Sequence, residues 1–95
     1  MAKGYWIAHV TVTDPEQYKQ YASSTGEAFK KYGAAILARA GTYQQMEGEG
    51  RPRNVVIEFP SLQAAIDCYN SPEYQAAKAK RVGAGIAEIV LVEGV

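Results

Sequence analysis

Alternation of apolar and polar positions is clearest over residues 4–12, GYWIAHVTV. Trp6, Ala8, Val10 and Val12 fall on one parity; Tyr5, Ile7, His9 and Thr11 fall on the other. A period of two predicts a strand. Its uniformly apolar even face should pack against helices. A helical period follows, with Tyr18, Tyr21, Ala22, Thr25, Ala28, Phe29 and Tyr32 on one stripe. Asp14 caps this helix, Pro15 opens its first turn, and Gln17 takes the third position of a capping box. The helix is expected to reach about Tyr32 and to stop at Gly33 as a left-handed C′ residue. Lys30 and Lys31 in the last turn face the negative end of its dipole.

Ala34 to Ala40 reads as a second strand, with Arg39 pointing the same way as Ala35 and Leu37. Gly41 to Met46 is expected to extend it, with Gly41 marking a bulge or a close approach. Residues 47–52, EGEGRP, form a turn-rich link to the β-branched strand Asn54–Phe59, so these two strands predict a hairpin. Pro60 ends that strand and Ser61 caps a helix carrying Leu62, Ala65, Ile66 and Tyr69. Ser71-Pro72 starts a further short helix, with a cap followed by a proline whose missing N–H is no loss. Gly83 and Gly85 break it before a last strand, Ile86–Glu93. The order β-α-β-β-α-β is the ferredoxin-like pattern, an α+β fold in which right-handed crossovers place the helices on one face of a four-stranded antiparallel sheet.

The other sheet face is expected to carry Tyr5, Ile7, His9, Ile36 or Leu37, and part of the set around Val56 and Glu58. In the last strand Ile86, Val90 and Val92 lie on one parity and Ile89 and Leu91 on the other. So large an apolar patch asks for cover. Sheet-on-sheet packing at about 10 Å supplies it, and a second copy in a closed two-fold arrangement predicts a homodimer. A monomer using this face for a ligand is the competing arrangement.

With 95 residues the chain is one domain, 1–95, with a thin core. Its formal net charge of +0 argues against a nucleic-acid partner, which needs a basic face, and gives no polybasic membrane anchor. No apolar run approaches the roughly 20 residues of a membrane helix. Met1 to Gly4 leads directly into a strand with no signal-peptide core, so a cytoplasmic location is expected. The single cysteine, Cys68, excludes an internal disulfide and reads as a small buried apolar residue. One histidine and one cysteine argue against a zinc or haem site, so no metal or cofactor is expected.

Several motifs recur together in order: Gly4-Tyr5-Trp6, Val12-Thr13-Asp14-Pro15 with Tyr18, Tyr32-Gly33-Ala34, and Glu47-Gly48. Arg53 with Val55 to Pro60, Tyr69-Asn70-Ser71-Pro72-Glu73-Tyr74, Lys78, Arg81 and Leu91 to Gly94 complete the set. On these residues, spanning nearly the whole chain, the sequence resembles the DUF1330 family of small uncharacterised bacterial proteins. The resemblance implies the dimeric α+β barrel superfamily. That superfamily also holds cofactor-free monooxygenases, lactone isomerases and haem enzymes, so it implies a pocket and not a reaction.

His9, Arg39 and Glu58 are the candidate catalytic residues. Glu58 is the one charge inside an apolar strand, and Arg39 across the hairpin could pair with it structurally. Alternatively, Arg39 binds an anionic or carbonyl ligand while Glu58 or His9 handles a proton. Tyr18, Tyr69 and Arg81 are candidate ligand contacts, because seven tyrosines in so short a chain suit an aromatic-walled pocket. Arg53, like Arg81, also reads as a solvated or ion-pairing residue near a dimer rim. Three functions remain open: a dimeric small-molecule pocket protein, extending to cofactor-independent chemistry on an aromatic or carbonyl compound; a non-catalytic binding or assembly module with a structural Arg–Glu pair; and a haem-handling protein, which requires His9 to face an open cavity large enough for a porphyrin. Phosphate loops, CxxC motifs, RRM aromatics and a nucleophile elbow are all absent from the sequence.

Overall fold

A computed structural model describes residues 2–95; Met1, the first residue of the leader into the strand and of the 1–95 domain, lies outside the described residues. Eight elements follow in the order β1 (Gly4–Val12), α1 (Pro15–Ser24), α2 (Gly26–Lys31), β2 (Ala35–Arg39), β3 (Arg53–Phe59), α3 (Leu62–Asn70), α4 (Pro72–Ala79) and β4 (Gly85–Glu93). The strands form one antiparallel sheet ordered β2-β3-β1-β4, the ferredoxin-like arrangement.

The even residues of β1 face the helices. Trp6, Ala8 and Val10 are buried there with Ile57 and Phe59 of β3, against Ala65, Cys68, Tyr74 and Ala77. Trp6 is the hub of this thin core. Its ring is stacked on Phe59 at 6.1 Å, meets Tyr74 edge-on at 4.9 Å and Phe29 edge-on at 5.5 Å. Quadrupoles favour such offset and edge contacts.

The caps form as the sequence requires at Ser61 and Ser71, whose hydroxyls accept from the backbone N–H groups of Ala64 and Tyr74, both at 3.1 Å. Asp14 accepts from Gln17 N–H at 3.2 Å, but the reciprocal half of the capping box is not made. Gln17 instead donates through Nε2 to the carbonyls of Lys80 and Val82, at 3.0 and 2.6 Å, tying the start of α1 to the loop before β4.

Two departures from the sequence reading shape the site. The helix expected to run to Tyr32 is broken at Thr25. Ser23, Ser24 and Thr25 turn their hydroxyls back onto the carbonyls of Gln20 and Ala22, a competition that weakens a helix just where Gly26 adds backbone freedom. The second strand ends at Arg39 instead of continuing to Met46. Ala40 takes a left-handed φ of 54°, which turns the chain out of the ladder before Gly41.

A bulge inside β2 matters more. Ile36 pairs with Ile57, yet Ala38 pairs with Val56, so Leu37 is the extra residue. A bulge inverts the alternation beyond it. Arg39 therefore does not share a face with Ala35: it stands opposite Val55, on the parity of Ile57.

Candidate functional site

A cavity of about 420 Å³ opens between the sheet and α1–α2. Val10, Val55, Ile57 and Ile89 contribute to its floor, and Trp6, Tyr18, Tyr21 and Phe29 to its aromatic walls. The break at Thr25 belongs to the same rim, with Ser23 and Thr25 supplying hydroxyls. Four cationic side chains reach it: Lys19 from α1, Arg39 from the end of β2, Arg53 from the start of β3 and Arg81 after α4. No aspartate, glutamate, histidine or cysteine lines it among the described residues.

Two of the guanidiniums lie on tyrosines. Arg53 Cζ is 5.1 Å from the ring centre of Tyr18, and Arg81 Cζ is 5.2 Å from that of Tyr21. Both distances fall within cation–π range. Tyr18 and Tyr21 stand one helical turn apart on α1, with ring centres at 5.2 Å, so the two stacks are neighbours. Neither arginine is in an ion pair; among the described residues the ion pairs are Lys31–Glu73 and Arg51–Glu88. Arg53 Nε is shielded from solvent and has no hydrogen-bond partner. At Arg81, burial pulls the guanidinium pKa down but the Tyr74 and Tyr21 hydroxyls beside it outweigh that, leaving it raised.

Behind this wall the hydroxyls of Tyr21 and Tyr74 share a buried hydrogen bond of 2.9 Å. Burial is the main cause that raises the pKa of both phenols, so both stay protonated at neutral pH. The cavity can therefore present aromatic faces, neutral hydroxyls and fixed positive charge. It offers no carboxylate or imidazole to act as a general base.

The structure brings together Arg39, Tyr18 and Arg81 of the sequence candidates. Tyr69 lies outside this cavity, lining with Lys78 and Arg81 a second one of about 430 Å³ beside β4. Arg81 borders both. His9 and Glu58 are on the opposite, open face of the sheet. Glu58 stands across from Tyr5 and Ala35 and accepts the Tyr5 hydroxyl at 3.1 Å. That bond, with burial and the carboxylate charge behind it, raises the Tyr5 pKa. His9 Nδ1 lies 2.6 Å from Asn54 Oδ1. The proposed cross-strand pairing of Arg39 with Glu58 is thus corrected: the β2 bulge puts the two side chains on opposite faces, and no single protomer site unites His9, Arg39 and Glu58.

Arg53, expected as a solvated or ion-pairing residue, lines the cavity and is in no ion pair among the described residues. The signal that locates it was present in the parity of Arg53 with Val55, Ile57 and Phe59, which face the helices. Lys19 and Tyr21 carried no comparable mark as site residues.

Fold and cavity together define a small α+β domain of ferredoxin-like architecture with a cationic, aromatic-walled site on its helix-covered face. The chain belongs to the DUF1330 family, a domain of unknown function, which matches residues 3–95. No curated protein matches it by sequence. Among solved structures it is similar to a protein of unknown function from Rhodopseudomonas palustris, at a TM-score of 0.77 and 16% identity, over 99% of this chain and 83% of that one. It is also similar to SnoaB, a cofactor-independent oxygenase from Streptomyces nogalater, at a TM-score of 0.66 and 12% identity, over 97% and 92% of the two chains. A dimeric protein of unknown function and ferredoxin-like fold from Bacteroides fragilis aligns at a TM-score of 0.57 and 18% identity, over 96% and 95%. At these identities the likeness is one of fold. No helix among the described residues is long and apolar enough to cross a membrane.

Proposed function

We propose that this chain is a homodimeric small-molecule-binding protein that holds a small aromatic or carbonyl compound between its sheet and α1–α2. The observation that carries the reading is the cavity of about 420 Å³ with Trp6, Tyr18, Tyr21 and Phe29 as walls and a few polar groups converging on it. Its size and its mix of apolar wall and sparse polar contacts are those of ligand sites. Arg39, Tyr18 and Arg81 are binding residues in this reading. A thermal-shift and calorimetric screen of one- and two-ring aromatic compounds tests it. Saturable binding lost on filling the cavity by Ala22→Phe supports it; no binding across the screen contradicts it.

The homodimer draws its support from the open face. Ile86, Val90 and Val92 are 53%, 55% and 44% exposed there, on the parity of Ile7 and His9. A two-fold copy would bury them, along with His9 and Glu58. The dimeric Bacteroides fragilis protein of the same fold agrees with this. A solution mass of one chain at micromolar concentration contradicts it.

Turnover without a cofactor is a second reading, favoured by the fold shared with the cofactor-independent oxygenase SnoaB. In it the guanidinium of Arg39 would stabilise negative charge developing on the bound compound. The assembly-module alternative loses its structural Arg–Glu pair through the β2 bulge.

A further inference from the structure

We infer that the compound taken by the helix-side cavity is an organic anion, an aromatic ring bearing a carboxylate, anchored by the guanidinium of Arg53 with Arg39 and Arg81 beside it. This rests on the cavity reading above and names its ligand class. Four cations and no acidic side chain line the space, so its charge is uncompensated from within the described chain.

Arg53 is the most specific element. Its Nε is shielded from solvent and has no hydrogen-bond partner among the described residues, so the guanidinium is not already engaged by the protein's own acceptors. The guanidinium carbon of Arg53 lies 5.1 Å from the centre of the Tyr18 ring, and the side chain lines the cavity with no carboxylate partner among the described residues. A carboxylate is the group whose two oxygens match the forked N–H groups of a guanidinium in a bidentate contact. The rest of the ligand would then meet Trp6, Tyr21 and Phe29, which fit an aromatic body and not a flexible or strongly hydrated one. Inorganic anions fill none of this apolar wall.

The test is calorimetric titration with paired probes, a set of one- and two-ring aromatic carboxylates such as 1-naphthoate and their neutral amides such as 1-naphthamide. The carboxylate of at least one pair should bind about 10- to 100-fold more tightly than its amide, the span of a hydrogen bond to a charged group. Arg53→Gln should remove most of that preference while leaving the amide's affinity within about threefold. Should Arg53→Gln not fold, Arg53→Lys, which keeps the charge and loses the planar fork of N–H donors, should still narrow the gap. Equal affinity of acid and amide overturns the anion inference but leaves the cavity reading standing. Binding of neither overturns both. A preference unchanged in Arg53→Lys, Arg39→Gln and Arg81→Gln also overturns it, because the charge would then be read elsewhere.

Discussion

The guanidinium of Arg53 lies against the ring of Tyr18, with Cζ 5.1 Å from its centre, so a β-strand cation is held in place by a helix aromatic across the cavity. The contact joins the start of β3 to α1 and sets where positive charge stands in the site. Tyr18→Leu keeps most of the apolar volume and removes the π face. Partly desolvated cation–π contacts are worth about 1–2 kcal/mol. The expected result is a drop of that order in unfolding free energy by urea titration, and weaker ligand binding by about 5- to 30-fold. An unchanged affinity would mean that Arg53 is positioned by something else.

The buried hydroxyl pair of Tyr21 and Tyr74 links α1 to α4 at 2.9 Å. Removing one hydroxyl leaves the other without its phenol partner, with only the Arg81 guanidinium beside it. Tyr21→Phe and Tyr74→Phe should each cost about 1–2 kcal/mol, and the double substitution less than their sum. A double-mutant cycle in urea reads the coupling directly. Additive costs would remove the bond as a tie between the helices.

Gly4 faces the start of α3. A Cβ there would come within 2.6 Å of Leu62 Cα and would also meet the Ser61 carbonyl, both of them backbone that cannot swing aside. Gly4→Ala should therefore destabilise the protein by about 1–3 kcal/mol, the usual cost of overpacking. A melting temperature equal to wild type would show that β1 and α3 are not in close contact.

These elements differ in how far the sequence exposes them. The period-two pattern of residues 4–12 and the caps at Ser61 and Ser71 are local signals, and they appear in the structure as read. The break at Thr25 is also local, but a hydrophobic stripe continuing through Ala28 and Phe29 masks the hydroxyl competition that causes it. Leu37 is a different case. No glycine marks its bulge, and the extra residue follows from how β2 fits β3. One such residue moved Arg39 from the open face to the cavity and dissolved its pairing with Glu58. Arg53 is a simpler case: its charge suggests solvent, but its parity with Val55 and Ile57 turns it to the helix side. The cavity itself arises where α1–α2 and the sheet stand apart, a tertiary outcome with no local mark.

Cys68 gives a prediction with pH. Burial first, and the charge of Glu73 second, push its thiol from the ordinary 9.0 up to about 12. Between these values the unfolded chain releases a proton that the folded protein keeps. The folded state binds more protons there, so stability falls as pH rises, by at most about 1.4 kcal/mol per pH unit from this group. Below pH 9 the thiol contributes no slope. Cys68→Ala should flatten the loss of unfolding free energy between pH 9 and 11, and the wild-type thiol should resist alkylation at pH 8 until denaturant is added. Rapid native labelling at pH 8 would contradict its burial.

Ligands are expected to enter the helix-side cavity and not the open sheet face. Backbone and side-chain chemical-shift mapping during titration with 1-naphthoate tests it most directly. The largest shifts should fall on Trp6, Tyr18, Tyr21, Arg53 and Arg81, with His9, Asn54 and Glu58 little changed. Shifts concentrated at His9, Glu58 and Val90, with Tyr18 and Arg53 unmoved, would place the site on the other side of the sheet and contradict the claim.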